Sequence, residues 1–358
     1  MQIGRFYRCA FVILSVVGPA LVAGCGSGDT PGGSPQLATT TAQSPKAAAS
    51  PLTAGDKSPG SDFVSTPEGW FHKDCGVQVP DKSTIISEAD GSLRVEKDGV
   101  VINRVPKCQH PPKLSPRFRA HAQPSASSEP PAINGWLEFS SFNAPPNPSG
   151  TYYTELTGQW TVPPAPTTNG PTLYFFNGLQ PSDGSRILQP VLQWGPSPAG
   201  GGFSWGIAAW FVRSDGTFAA STVAQVSSGD ALAGTVSALG CDPSANGHCT
   251  YLIGAADDTT SIGRSIQSDG DNFAYTMAFP AVLEVQNAGG LTNCSQLPNT
   301  TSMAFSQTYL YEPGPGNPTC FCNEVATSGT WGTSVDTTDS PQCGYGVSNF
   351  SRGTTLSF

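Results

Sequence analysis

An all-β sandwich is the fold this sequence predicts, and three observations predict it. Short apolar runs alternate with period two, turn residues punctuate them about every ten positions, and no stretch sustains helical periodicity. Gly (41) and Pro (33) are abundant among the 358 residues, while charged residues make up only 12%. The runs between residues 134 and 358 then read as about twelve antiparallel strands, enough for a two-sheet sandwich of jelly-roll type.

Taken in order, residues 1–24 read as an export signal. Arg5 and Arg8 form a basic region, an apolar segment runs from Ala10 to Ala23, and Val22-Ala23-Gly24-Cys25 follows. The apolar part is too short and wrongly flanked for a membrane span. Its end resembles a bacterial lipobox. That resemblance implies cleavage before Cys25, acylation of its sulfur, and an exported protein lipid-anchored to the bacterial cell envelope. On this reading the N-terminal lipid is the only membrane contact. Residues 25–62 are Ser, Thr, Pro, Gly and Ala with almost no large apolar side chain, the composition of a disordered tether.

Residues 63–112 change texture. Trp70, Phe71 and two hairpin turns, Asp90-Gly91 and Asp98-Gly99, suggest a small β segment. Cys75 and Cys108 bracket it and are expected to pair, which suits a unit too small for a core of its own. It reads as an accessory module or a pro-segment, and residues 113–133 read as a linker. With Cys9 in the leader and Cys25 at the anchor, eight cysteines remain for disulfides. Cys241 and Cys249 are expected to close a hairpin, and Cys294, Cys320, Cys322 and Cys343 are left with pairing open. Cys320-Phe321-Cys322 lacks zinc-ligand spacing, so no metal is expected. No cofactor is expected either.

In the body (134–358) the central stretch is Arg186–Gly195. Ile187, Gln189, Val191 and Gln193 share one strand face; Leu188, Pro190, Leu192 and Trp194 share the other, wholly apolar one. Pro190 removes a ladder donor and implies an edge strand or a bulge. Ala281–Gln286 repeats the design with Val282, Glu284 and Gln286 on one face. Two such strands side by side would aim a carboxylate and an amide into one groove. Gln193 and Gln286, with Trp194, Trp205 and Trp210 on neighbouring strands, are candidates to line it.

Charge excludes one class of partner. No lysine follows Lys113, and from Gln123 onward four arginines face sixteen Asp and Glu, so nucleic acid is excluded. Gly202-Phe203-Ser204-Trp205-Gly206 matches a nucleophile-elbow pattern, but no helix follows it. His72, His110 and His121 are scattered through the amino-terminal half and read as solvated. Asp257-Asp258 and Asp269–Asn272 read as turns rather than a calcium site.

Several runs occur in the order found in one family. Tyr153–Pro163 (YTELTGQWTVP), Leu173–Gly178 (LYFFNG), Ile187-Leu188-Gln189, Ala209-Trp210-Phe211 and Ser228-Gly229-Asp230 together resemble the glutamic peptidases, or eqolisins. The resemblance spans roughly residues 136–312. It implies a concanavalin-like sandwich whose concave face carries a Gln–Glu pair that hydrolyses peptides in acid, with Gln189 and Glu284 in those places. Glu284 would be the general base and Gln189 the oxyanion donor, acting on a polypeptide in a monomeric protein. The alternative is a non-catalytic, lectin-like surface module, with the tryptophans as a platform for a surface glycan.

Overall fold

The computed structural model describes residues 60–114, 135–143, 152–242, 248–269, 273–286, 290–313, 323–325, 331–335 and 341–358. Cys25 and the tether, His121, Cys320 and Cys322 lie outside them. The N-terminal segment forms β1 (Phe63–Thr66), β2 (Gly69–His72), β3 (Gly76–Val79), β4 (Ser83–Ser87), β5 (Leu93–Lys97), β6 (Val100–Val105) and β7 (Lys113–Leu114). The first half of the body adds β8 (Gly135–Asn143), β9 (Glu155–Thr161), β10 (Thr172–Pro181), β11 (Arg186–Trp194), β12 (Trp205–Arg213), β13 (Phe218–Ser221), β14 (Ala224–Gln225) and β15 (Ala231–Asp242). Then come β16 (His248–Asp257), β17 (Ile262–Asp269), β18 (Tyr275–Gln286), β19 (Ser302–Glu312), β20 (Asn323–Glu324), β21 (Gly332–Val335), β22 (Gly346–Phe350) and β23 (Gly353–Ser357).

These strands build a sandwich with a third, partial layer. One sheet runs β21-β8-β18-β10-β11-β12-β13-β3, with β14 on β12; the other runs β22-β23-β19-β9-β15-β16-β17-β4-β5-β6, with β20 on β19. Between them lie two apolar clusters. Leu156, Leu188, Phe211, Val236 and Ile253 belong to one; Trp160, Phe175, Leu192, Ile207 and Phe305 belong to the other. The period-two alternation read from β11 is therefore the alternation between this core and the opposite face.

The N-terminal segment is woven into both sheets. β3 pairs in parallel with β13, and β4 pairs in parallel with β17, so each main sheet ends on this segment. Cys75 and Cys108 are bonded, as are Cys241 with Cys249 and Cys294 with Cys343. Disulfides of this kind belong to an oxidising compartment. Asp98 (φ 52°) and Gly99 (φ 76°) make the two-residue turn between β5 and β6. The remaining strands, β1, β2 and β7, form a separate three-stranded sheet over the outer face of the larger assembly. Phe71, with Val64 and Leu114 packed beside it, joins Tyr174, Phe176, Val191, Trp210 and Val282 in a third cluster. Lys113 and Leu114, placed in a linker by composition, are thus the last strand of this cover.

Two local expectations need correction. Pro190 is neither at an edge nor in a bulge of its own strand: β11 lies between β10 and β12, and Pro190 pairs in register with Ala209. The β10–β11 register does not shift between Phe176↔Val191 and Leu179↔Leu188, although the ladder lacks the two pairs between them, opposite Asn177 and Gly178, where the missing donor is absorbed. The irregularity falls instead on the next ladder, β10 with β18, between Phe176 and Gly178. His72 is buried rather than solvated, because its ring stacks on His110 at 3.6 Å and Phe63 meets it edge-on.

Candidate functional site

Gln189 and Glu284 stand on the same face of the same sheet. Tyr174 of β10 pairs with Glu284 on one side and with Gln193 on the other, and Gln189 precedes Gln193 on β11 by two full alternations. The strands are not side by side as the sequence suggested, since β10 separates them. Two strand spacings put about 10 Å between them laterally, and the four-residue offset adds about 13 Å along the strands.

The two side chains do not touch. Glu68, from the turn joining β1 and β2, stands between them. Gln189 Nε2 donates to Glu68 Oε1 at 2.7 Å, and the Glu68 backbone N–H donates to Glu284 Oε1 at 2.7 Å. Gln286 Nε2 also donates to Glu284 Oε1, and Trp136 Nε1 donates to its Oε2 at 3.1 Å. Tyr174 closes the side of the site, its hydroxyl donating to the Ser65 carbonyl at 3.2 Å. Glu68, Gln189 and Glu284 have no solvent exposure at all.

Burial dominates the electrostatics. It pushes the Glu284 carboxyl above the ordinary carboxylate range, against the hydrogen bonds from Gln286, the Glu68 amide and Trp136. Glu68 is raised well above its ordinary value by burial first and by the neighbouring Glu284 second. Two carboxyls in one dry pocket resist carrying two charges, so in acid both are neutral.

Local backbone explains how each part arrives. In the Pro67-Glu68 turn, Glu68 has φ 92°, at the second turn position, where Gly or Asn is the usual residue. A non-glycine residue there costs on the order of 1–3 kcal/mol. Its carboxyl hydrogen bond is what the position gains. Beside Gln189, a Cβ added to Gly178 would stand 2.9 Å from the Leu188 carbonyl oxygen and 3.5 Å from Gln189 Cγ. Gly178→Ala is therefore expected to push β11 outward and cost about 1–3 kcal/mol, read as a lower denaturant midpoint. An unchanged midpoint would mean that β10 and β11 are not packed so closely.

The groove candidates separate into two groups. Trp210 pairs directly with Gln189, faces the same side and meets Tyr174 edge-on at 6.3 Å. Trp194 and Trp205 pair with each other but face the inter-sheet core with Phe175 and Leu192. A platform of three tryptophans therefore does not form, because Trp194 and Trp210 fall on opposite phases of the alternation. Gln286 contacts Glu284. Gln193, although on the site face, ties the turn after β11: its Nε2 donates to the carbonyls of Gly195 and Gly200, each at 3.0 Å. Ser204 lies at a strand entrance and receives Gln225 Nε2 at 3.4 Å. Asp257 spends its oxygens on Thr259 and Thr260 as a turn cap. Among the described residues no group of three or more His, Cys, Asp and Glu side chains is arranged to hold a metal.

Sequence reading missed Glu68, Trp136 and Tyr174. The only local signal for Glu68 was a Pro-Glu-Gly turn carrying a carboxylate where a glycine would be at ease.

No family model matches this chain, and no curated protein matches it. Among solved structures, Scytalido-glutamic peptidase with a peptide-based transition-state analogue is similar at 13% identity and a TM-score of 0.43, covering 63% of this chain and 98% of that one. SCP-B, a member of the eqolisin family in complex with the tripeptide Ala-Ile-His, is similar at 13% identity and a TM-score of 0.42, with the same coverage. The enzymatically active domain of bacteriophage CBA120 tailspike protein 2 is similar at 11% identity and a TM-score of 0.25, covering 54% of this chain and 31% of that one.

Proposed function

We propose that this protein is an exported endopeptidase of glutamic-peptidase type, working in acid with Glu284 as general base and Gln189 as oxyanion donor. One observation carries the reading: the buried amide and carboxyl already grip a polypeptide between them. Glu284 holds a backbone N–H and Gln189 holds a carboxyl oxygen of the same residue. The Glu68 N–H and Oε1 are five bonds apart, so their span is at most on the order of 6 Å. Adding a hydrogen bond at each end gives a gap of about 11 Å at most. A water on Glu284 followed in line by a peptide carbonyl on Gln189 needs about 10 Å.

With the turn displaced and water admitted, burial no longer holds the Glu284 carboxyl neutral, and its ionised form takes the proton of the water as the water oxygen attacks the carbonyl carbon. Gln189 Nε2 donates to the oxygen as charge develops on it, and Glu284 returns the proton to the leaving amine. Trp136 and Gln286 fix the carboxyl, each through one hydrogen bond. Trp210 and Tyr174 supply apolar walls. Export and anchoring through Cys25 belong to the same reading, resting on the N-terminal signal and on the disulfides in the body.

The test is hydrolysis of denatured casein at pH 2–5 in the presence of pepstatin, using Glu68→Ala protein, which frees Gln189 from the turn. Gln189→Ala in that background is expected to lower kcat by a factor on the order of 10² with KM nearly unchanged, the signature of a donor that acts in the transition state. An unchanged kcat would remove Gln189 from the chemistry.

A further inference from the structure

We propose that the Thr66–Trp70 turn is a built-in inhibitor of the Gln189–Glu284 site, so that the intact chain is latent, and that acid tightens this block rather than releasing it. The proposal rests on the hydrolytic reading above and adds its regulation.

The turn occupies every group the chemistry needs. Glu284 Oε1 receives both the Glu68 and the Gln286 donors and Oε2 receives Trp136, so Oε1 is fully used and the turn fills the space in front of the carboxyl, which has no solvent exposure. Gln189 Nε2 is spent on a side-chain carboxyl rather than a backbone carbonyl. The turn therefore sits where a substrate would, yet it meets the oxyanion donor with a side-chain carboxyl instead of a peptide carbonyl. It is also firmly mounted. β2 pairs with β1 and β7, Thr66 Oγ1 donates to the Gly69 carbonyl at 2.9 Å, and β3 just beyond is sealed into the main sheet.

The direction of the pH effect follows from what surrounds the two carboxyls. They face each other, Gln189 from β11, Gln286 from β18, Trp136 from β8 and Tyr174 from β10, and none of these carries a positive charge. Lys113 of β7 pairs with Trp70 beside the turn but is exposed to solvent; Asp62, His72, Lys73, Asp74 and His110 lie at the hairpin's far end, where Phe63 pairs with His72. Closure raises the proton affinity of both carboxyls over their solvated values, so the closed state binds more protons than the open one. Below the ordinary carboxylate range both states are protonated and closure keeps its full stability. As pH rises above that range, the open state loses its protons first and closure weakens. Acid alone therefore does not activate the chain, and the turn must be displaced by cutting or by a competing peptide.

Two readouts on the full chain test this separately. The first is hydrogen exchange at Glu68, Gly69 and Trp70, corrected for intrinsic rates. Protection by a factor of roughly 10² or more is expected at pH 4, with a marked fall at pH 8. Glu68→Gln keeps the shape and removes one of the two titrating carboxyls, so it should lose clearly less protection at pH 8 than the parent does. An unprotected turn at pH 4, or a Glu68→Gln protein that loosens as the parent does, overturns the block. The second readout is casein hydrolysis at pH 4. Glu68→Ala and Glu68→Gly are expected to exceed the intact chain by roughly tenfold or more, because activity follows the open fraction. The Gly variant also relieves the positive φ and so guards against misfolding. An intact chain that cleaves as fast as either variant overturns the inhibitor alone. No cleavage by any folded variant, with the turn still protected, removes the hydrolytic reading and the inhibitory role with it.

Discussion

In protein opened by Glu68→Ala, Glu284→Gln is expected to lower kcat for acid hydrolysis by a factor on the order of 10²–10⁴, the usual contribution of a positioned general base. The substitution is nearly isosteric. The amide oxygen still accepts from one of the Trp136 and Gln286 donors, so β18 and its neighbours stay in place. What is lost is the ability to take a proton from water. KM should move little, because the carboxyl acts on the water rather than on the resting substrate. Initial rates across a substrate series separate the two parameters. A raised KM with kcat intact would assign Glu284 to binding instead.

The second large effect is on stability and comes from Glu138, on the core-facing side of β8. Its Oε2 accepts from the Gly346 amide at 3.0 Å, while Oε1 is buried without a partner. Burial, only partly offset by the Gly346 and Ser357 amides, pushes its pKa up to about 8 from an ordinary value of 4.5. Below that ordinary value the carboxyl is protonated whether the chain is folded or not, and it costs nothing. Between the two values the unfolded chain ionises while the folded one holds its proton, so stability falls as pH rises; above about 8 the loss is complete. The whole effect is on the order of 4–5 kcal/mol. Glu138→Gln removes the titration, so its stability relative to the parent should grow steadily between pH 4 and pH 8 in parallel urea melts. A constant difference across that range would mean that Glu138 ionises in the fold without penalty.

Most of the architecture was legible because period two is a local property. The phases of Arg186–Trp194 and Tyr275–Gln286 told which side chains face the core, and both Gln189 and Glu284 fall on the other face. Applied consistently, the same alternation would have kept Trp194 out of the groove. What periodicity cannot tell is which strands are neighbours. β10 between β11 and β18, and the parallel pairings of β3 and β4 with strands well over a hundred residues away, are long-range choices made by packing. Glu68 was hidden for that reason: it is 121 residues from Gln189 and 216 from Glu284, and its turn alone gives no hint of where it docks. Pro190 misled in a different way. Its missing donor was weighed as if every ladder position were equal, whereas a two-pair gap opposite Asn177 and Gly178 is absorbed without moving the strand to an edge.

The most direct test of the central idea, that Gln189 and Glu284 serve one carbonyl in one pocket, is the double variant Gln189→Ala/Glu284→Gln in the Glu68→Ala background. If the two groups act as a unit, its kcat should be no lower than that of Glu284→Gln alone, because the oxyanion donor has nothing to stabilise once the attack is lost. Losses that simply multiply would place the two side chains in independent roles and contradict a shared site.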